Sequence, residues 1–249
     1  MALPLQARWL LLSAVLFTAC VWTRGQRYHH FITPTPLREQ SVLVLGFLGG
    51  REPWNQERSS IRQLAIKLRE KTLPGVYVET VENRKRRLAV QLVKEAFDRN
   101  DDGVLDAAEC RTVRLILYGQ SFGGAAVVKL ARQLQQLAIP VALTVQIDSV
   151  GRGDALIPPN VASAANLFQR DGWIIRGEPE IRAQDPSKTR ILGNFRYSYQ
   201  GKKIDLSAVP WHKKIGRVAH ARMELDPDVW SKVEELILDA IRSQQPVPC

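Results

Sequence analysis

The sequence predicts an α/β protein: a mostly parallel central sheet flanked by helices, with an irregular, lid-like insertion near residues 151–215. Three observations carry this expectation. Short, almost wholly apolar runs recur, as strands buried on both faces require. Stretches with apolar residues at helical spacing separate them. Past residue 150 this alternation gives way to an irregular pattern that resumes as a clear helix only near the carboxyl end.

The elements follow in order. Residues 41–46 (Ser-Val-Leu-Val-Leu-Gly) are the first buried strand. Over residues 55–72 Ile61, Leu64, Ala65 and Leu68 recur at helical spacing, until Pro74-Gly75 breaks the pattern before a second strand at 76–80. A helix is expected over 83–97, with Asn83 as its N-cap and Leu88, Val90, Leu92, Val93 and Phe97 as its apolar positions. Strands at 112–118 and 141–147 enclose a helix over 122–136. Brief strands are expected at 173–176, 181–183 and 196–199. The last helix, 227–243, opens with Asp226 as cap and Pro227 at the first helical position. No internal repeat is present.

A chain of 249 residues with 45% apolar and 24% charged residues suits one domain with a sizeable core. Its net charge of +10 favours anionic partners such as acidic lipid headgroups, although a merely soluble basic surface has the same composition. No zinc finger, RNA-recognition aromatic pair or basic zipper accompanies the charge, so no nucleic-acid partner is expected.

Residues 1–20 read as a signal peptide: Arg8 precedes an apolar run over residues 9–19, too short to span a bilayer comfortably. Leu16-Phe17-Thr18-Ala19-Cys20 also resembles a lipoprotein cleavage box, which would make Cys20 a lipidation site; plain secretion and, behind it, an uncleaved N-terminal anchor are the open alternatives. Export is therefore expected, to a periplasmic, secreted or membrane-anchored location. Residues 21–40, punctuated by Pro34 and Pro36, read as a linker, which leaves 41–249 as the domain. In an oxidising compartment Cys110 and Cys249 could pair, and two unpaired thiols fit the spacing equally.

Residues 98–109 (Asp-Arg-Asn-Asp-Asp-Gly-Val-Leu-Asp-Ala-Ala-Glu) match the twelve-residue EF-hand loop at its ligand positions. Asp98, Asn100 and Asp102 would offer side-chain oxygens, Val104 its carbonyl, Asp106 a direct or water-mediated contact and Glu109 a bidentate carboxylate, with Gly103 at the sharp turn. An entering helix is expected, but the strand that follows leaves little room for a full exiting one. The reading is a single structural calcium site rather than a sensor.

The sharpest catalytic pattern is Gly119-Gln120-Ser121-Phe122-Gly123, a G-x-S-x-G between an expected strand and an expected helix. Small residues flank the serine because a tight strand-to-helix turn leaves no room for side chains, and the helix start favours negative charge. Here the chain resembles the α/β-hydrolase superfamily of esterases, lipases, thioesterases and peptidases, a resemblance that spans residues 41–243 although only this turn is a sharp motif. It implies Ser121 as nucleophile and an oxyanion hole from the Phe122 amide plus that of Phe47 or Leu48, in Gly46-Phe47-Leu48-Gly49-Gly50. Leu45 stands where the family often has a histidine.

The acid and base should follow in the order Asp, His. Asp148, at the end of the strand over 141–147, is the leading acid, with Asp185 and Asp205 behind it. His220, just before the last helix in a segment read as loop, is the leading base ahead of His212. The resulting expectation is an exported serine hydrolase acting on a carboxylic ester or lipid through an acyl-enzyme, stabilised by calcium and able to associate with membrane surfaces. The alternative is a calcium-stabilised envelope protein that keeps the scaffold only for binding. The aromatics Trp173, Phe195, Tyr197, Tyr199 and Trp211 would line an apolar substrate site or pack a decorating subdomain.

Overall fold

In a computed structural model the described residues are 25–207, 209, 214 and 216–243. The expected signal segment with Cys20, His212, Trp211 and Cys249 lie outside them.

Six strands form one parallel sheet: β1 (Val42–Leu48), β2 (Val76–Glu82), β3 (Leu115–Gln120), β4 (Val141–Ile147), β6 (Val161–Gln169) and β8 (Arg190–Tyr197). Their spatial order is β2-β1-β3-β4-β6-β8, so the chain reverses direction across the sheet between β1 and β3. Ligands of open parallel sheets bind beyond the carboxyl ends of the strands at such a reversal. Two short strands, β5 (Leu156–Ile157) and β7 (Arg182–Ala183), pair separately.

Alternation along β1 explains why both faces are covered. Leu43, Leu45 and Phe47 enter a core with Leu92, Val93 and Phe97 of α2 (Arg86–Phe97) and Val127 and Leu130 of α4 (Phe122–Gln135). Val42 and Val44 face the other way, onto Ile61, Leu64 and Leu68 of α1 (Ser60–Glu70) and Val229, Val233 and Ile237 of α6 (Pro227–Arg242). Each such side chain, fully buried, stabilises the fold by roughly 1.5–3 kcal/mol. As expected, Asp226 caps α6 by accepting the Asp228 N–H, with Pro227 in the first turn.

Several expectations are corrected. Asn83 does not cap α2: Lys85 holds that position, and the Asn83 amide donates instead to the Leu48 and Gly50 carbonyls (3.0 and 2.7 Å). The stretch near 151–215 is not chiefly a lid, because it supplies β6 and β8 to the central sheet. A short helix α5 (Val218–Leu225) occupies the segment read as loop before α6.

Residues 25–40 are docked rather than loose. Gln26 mimics a neighbouring strand, its amide donating to the Thr80 carbonyl and accepting from the Glu82 N–H. Glu79 gathers the amides of Ile32 and Thr33, and Leu37 enters the core. The arm thus covers the open edge of β2, where unpaired backbone groups would otherwise face solvent.

Candidate active site

β3 ends at Gln120, and α4 starts at Phe122. The one residue between them, Ser121, has φ 58° and ψ −123°. For a residue with a β-carbon that conformation costs about 1–3 kcal/mol and persists only where the surroundings enforce it. They do so here. The Ser121 amide donates to the Ile147 carbonyl on β4, and its own carbonyl accepts from Gly124 and Val150. A β-carbon on Gly119 would lie 2.4 Å from the Gly123 carbonyl oxygen, and one on Gly123 only 2.0 Å from that of Phe47. Glycine at both positions is what lets α4 start directly beneath β1.

Asp148 follows β4 immediately, is fully buried and also has positive φ, 43°. Its carboxylate accepts the Gln169 backbone N–H at 3.2 Å and the Gln169 side-chain amide at 3.0 Å. Gly177 closes over it, at a position where a β-carbon would meet the carboxylate at 2.2 Å. His220 sits in the first turn of α5, buried, with Nδ1 2.6 Å from Asp148 Oδ2. A carboxylate accepting Nδ1–H leaves the Nε2 lone pair facing outward, the tautomer a general base needs.

Ser121 and His220 line one cavity of about 390 Å³, with Gln120, Phe122, Val150, Ile175 and Val209. The structure therefore brings Ser121, Asp148 and His220 together at the reversal point of the sheet. Among the described residues no hydrogen bond joins Ser121 Oγ to His220; the Nε2 atom lies instead 3.4 Å from the Gln120 amide nitrogen. Gln120 is a site residue that sequence reasoning passed over. Its place as the variable residue before the serine carried no signal of a role.

The other candidate acids lie elsewhere. Asp185 is half-buried and Asp205 exposed, and each closes a local turn on a serine two residues on, Ser187 and Ser207. Those bonds, foremost the Ser187 hydroxyl and the Ser207 amide respectively, hold both carboxyls below their ordinary range.

The structure places the expected oxyanion donors unequally. Phe122 begins α4 on the cavity wall, but Phe47 and Leu48 are buried within β1, paired in register with Val81, Gly119 and Glu82. The backbone that reaches the cavity is the turn after the strand, Gly49, Gly50 and Arg51. Gly49 passes so close that a β-carbon there would lie 3.3 Å from the Ser121 β-carbon. Asn83 pins this turn through the carbonyls of Leu48 and Gly50.

The acidic loop lies at the other end of β3. Six residues at about 3.3 Å each put it roughly 20 Å from Ser121, too far to touch the same substrate group. Gly103 has φ 81°, as the turn demands, and its N–H donates to Asp98 at 2.7 Å. Asp106 and Glu109 form a reciprocal capping box on the four-residue helix α3 (Ala107–Cys110). Asn100 and Asp102 bond each other, and Glu109 accepts the amides of Arg99, Asn100 and Asp106. The oxygen-rich set suits a hard cation chemically. Its acids are spent on backbone N–H groups, however, and among the described residues no group of three His, Cys, Asp or Glu side chains is placed to hold a metal. Val104, the expected carbonyl ligand, is exposed, and Cys110 is buried beneath the loop.

No family model and no curated protein sequence matches the chain. In fold it is similar to a cutinase-like protein from Cryptococcus sp. (TM-score 0.46, 14% identity, covering 85% of this chain and 100% of that one). It is also similar to dienelactone hydrolase from Anabaena variabilis ATCC 29413 (TM-score 0.43, 11% identity, 82% and 87%). A third similar structure is a dienelactone hydrolase-like promiscuous phosphotriesterase from metagenomic libraries (TM-score 0.39, 15% identity, 84% and 88%). These scores are too low for an activity to be read across. The chain itself has a parallel α/β sheet with a serine, a histidine and a buried carboxylate at its reversal point.

Proposed function

We propose that this chain is a serine hydrolase that cleaves carboxylic esters through an acyl-enzyme. The observation that carries the reading is the 2.6 Å contact between His220 Nδ1 and buried Asp148, on the cavity that Ser121 also lines. In the proposed reaction Ser121 Oγ attacks the ester carbonyl while His220 Nε2 takes its proton. The Phe122 amide and an amide of the turn at residues 49–51 stabilise the oxyanion. His220 then returns the proton to the leaving alkoxide, and water repeats the sequence to release the acid. Asp148 holds the tautomer and stabilises the imidazolium.

Hydrolysis of p-nitrophenyl esters of increasing chain length tests this. Turnover that Ser121→Ala abolishes is expected; equal rates in the two proteins would refute it. One observation favours a second reading, a binding scaffold without turnover: Gln120, not Ser121, neighbours His220 Nε2. Gln120→Ala separates the two, since a hydrolase gains or keeps rate when the base is uncovered, whereas a scaffold stays inactive.

Two further parts of the proposal rest on sequence. The loop at 98–109 takes up calcium through Asp98, Asn100, Asp102, Val104, Asp106 and Glu109, stabilising the fold without entering the reaction; calorimetric titration with calcium tests it. The chain is exported, with Cys20 either lipidated or removed, and mass spectrometry of the mature protein distinguishes these.

A further inference from the structure

We propose that the loop over residues 170–177 is a docking element for an anionic lipid surface. The inference concerns binding, not turnover, and stands or falls apart from the hydrolase reading.

The loop reads Arg-Asp-Gly-Trp-Ile-Ile-Arg-Gly. At its tip Trp173 is 84% exposed and Ile174 61% exposed, the first the most exposed of the large apolar side chains among the described residues. Single exposed apolar residues are ordinary, but these have company. Ile174 packs onto Gly216, whose carbonyl accepts the Ile174 N–H, and two residues further on Val218 is 41% exposed. Phe122, on the cavity wall, is 53% exposed. The patch adjoins the cavity, because Ile175 lines it.

Arginines flank the tip of the patch. Arg170 and Arg176 are exposed, and among the described residues neither has a carboxylate within ion-pair distance. Arg51 and Arg217 stand exposed on the cavity wall, beside Glu52 and Glu224. The loop's own acid, Asp171, is turned away: it accepts the Tyr199 N–H and the Ser198 hydroxyl, and these bonds, foremost the first, hold its carboxyl below the ordinary range. An indole between two guanidinium groups suits the boundary between lipid headgroups and acyl chains, with the arginines on phosphate.

The loop is also built to keep its shape. Gln169 accepts the Gly172 N–H and donates to the Ile175 carbonyl, while Arg176 and Arg170 donate to the carbonyls of Gly172 and Gly177. Gln169 also reaches Asp148, so the tip is tied to the buried carboxylate of the site. A rigid apolar tip loses little conformational entropy on insertion.

The test mixes the full chain, or its Trp173→Ser/Ile174→Ser variant, with vesicles of phosphatidylcholine alone or with roughly one-third phosphatidylglycerol. Binding is read by co-sedimentation and by quenching of tryptophan fluorescence with brominated lipid. The two proteins share every other residue, so the difference between them reads the loop alone. The wild type is expected to prefer the anionic vesicles, and the double variant to lose about tenfold in that binding. Arg176→Gln should lose about fivefold, and Arg176→Lys, which keeps the charge, should lose little. Equal binding by wild type and double variant, or binding indifferent to vesicle charge, overturns the proposal. So does a dimer that the double variant dissolves without any vesicle binding, which would assign the patch to a second copy of the chain.

Discussion

At its carboxyl end β3 runs into Ser121; at its amino end it is fed by the acidic loop, and the two ends are held by opposite means. Around Ser121 the constraints are steric and mutual. Ser121 and Asp148 have positive φ, Gly119, Gly123 and Gly177 have no space for a methyl group, and buried Asp148 meets the buried His220 imidazole. Around residues 98–109 the side chains are mostly exposed, the turn at Gly103 stands in open space, and carboxylates satisfy nearby N–H groups. The first arrangement is rigid, as the proposed reaction requires. The second holds its oxygens by bonds that a cation would have to replace. Rigidity within one strand's length is thus concentrated at the proposed site, and not where a loop need only close.

This contrast can be broken most forcefully at the site. Ser121→Ala, and Asp148→Asn, which leaves His220 Nδ1–H without its acceptor, should each reduce ester turnover by about ten-thousand-fold. Steady-state kinetics measure it, with far-UV circular dichroism unchanged. Next comes stability at the two glycines. Gly123→Ala places a methyl group against the Phe47 carbonyl and should cost about 3 kcal/mol or more in urea unfolding. Gly103→Ala meets no neighbour and pays only for its positive φ, about 1–2 kcal/mol. Equal losses at the two would mean that the ends are not held differently.

Smaller again is Glu109→Gln, which weakens the capping box and should cost about 1 kcal/mol. With the proposed calcium site, calcium raises the melting temperature of the wild type and not of this variant. The smallest effect concerns Asp171. Its carboxyl is held low first by the Tyr199 N–H, so its contribution to stability is present above the unfolded carboxylate pKa and is lost as pH falls through the folded one. Asp171→Asn should therefore be slightly less stable than wild type at neutral pH, and the gap should vanish in acid-unfolding measurements at the lowest pH.

The elements that the sequence displays most plainly are those whose packing is carried by large apolar residues. β4 falls where its run of Val, Leu and Ile places it, and α6 starts at its Asp-Pro cap. β6 was hidden because Val-Ala-Ser-Ala-Ala-Asn-Leu-Phe-Gln offers small and polar residues to a central strand. Its Asn166 and Gln169 meet the backbone groups of loops, while Ala165 and Leu167 join the core that α5 and α6 cover. Ser121 and Asp148 were legible because each ends an apolar strand, and His220 because it precedes the last helix. The second oxyanion donor is expected at Phe47 or Leu48, whereas β1 continues through Leu48 and the chain turns only at Gly49. No local pattern announces the roles of Asn83 and Gln120, which depend on elements far away in sequence.

The central claim is that Ser121 is a nucleophile served by His220 and Asp148. Incubation with a fluorophosphonate, followed by peptide mass spectrometry, tests it most directly. The expected result is one adduct, on Ser121, absent from Ser121→Ala and formed far more slowly in Asp148→Asn. A folded protein that takes up no label, or takes it up elsewhere, would contradict the account.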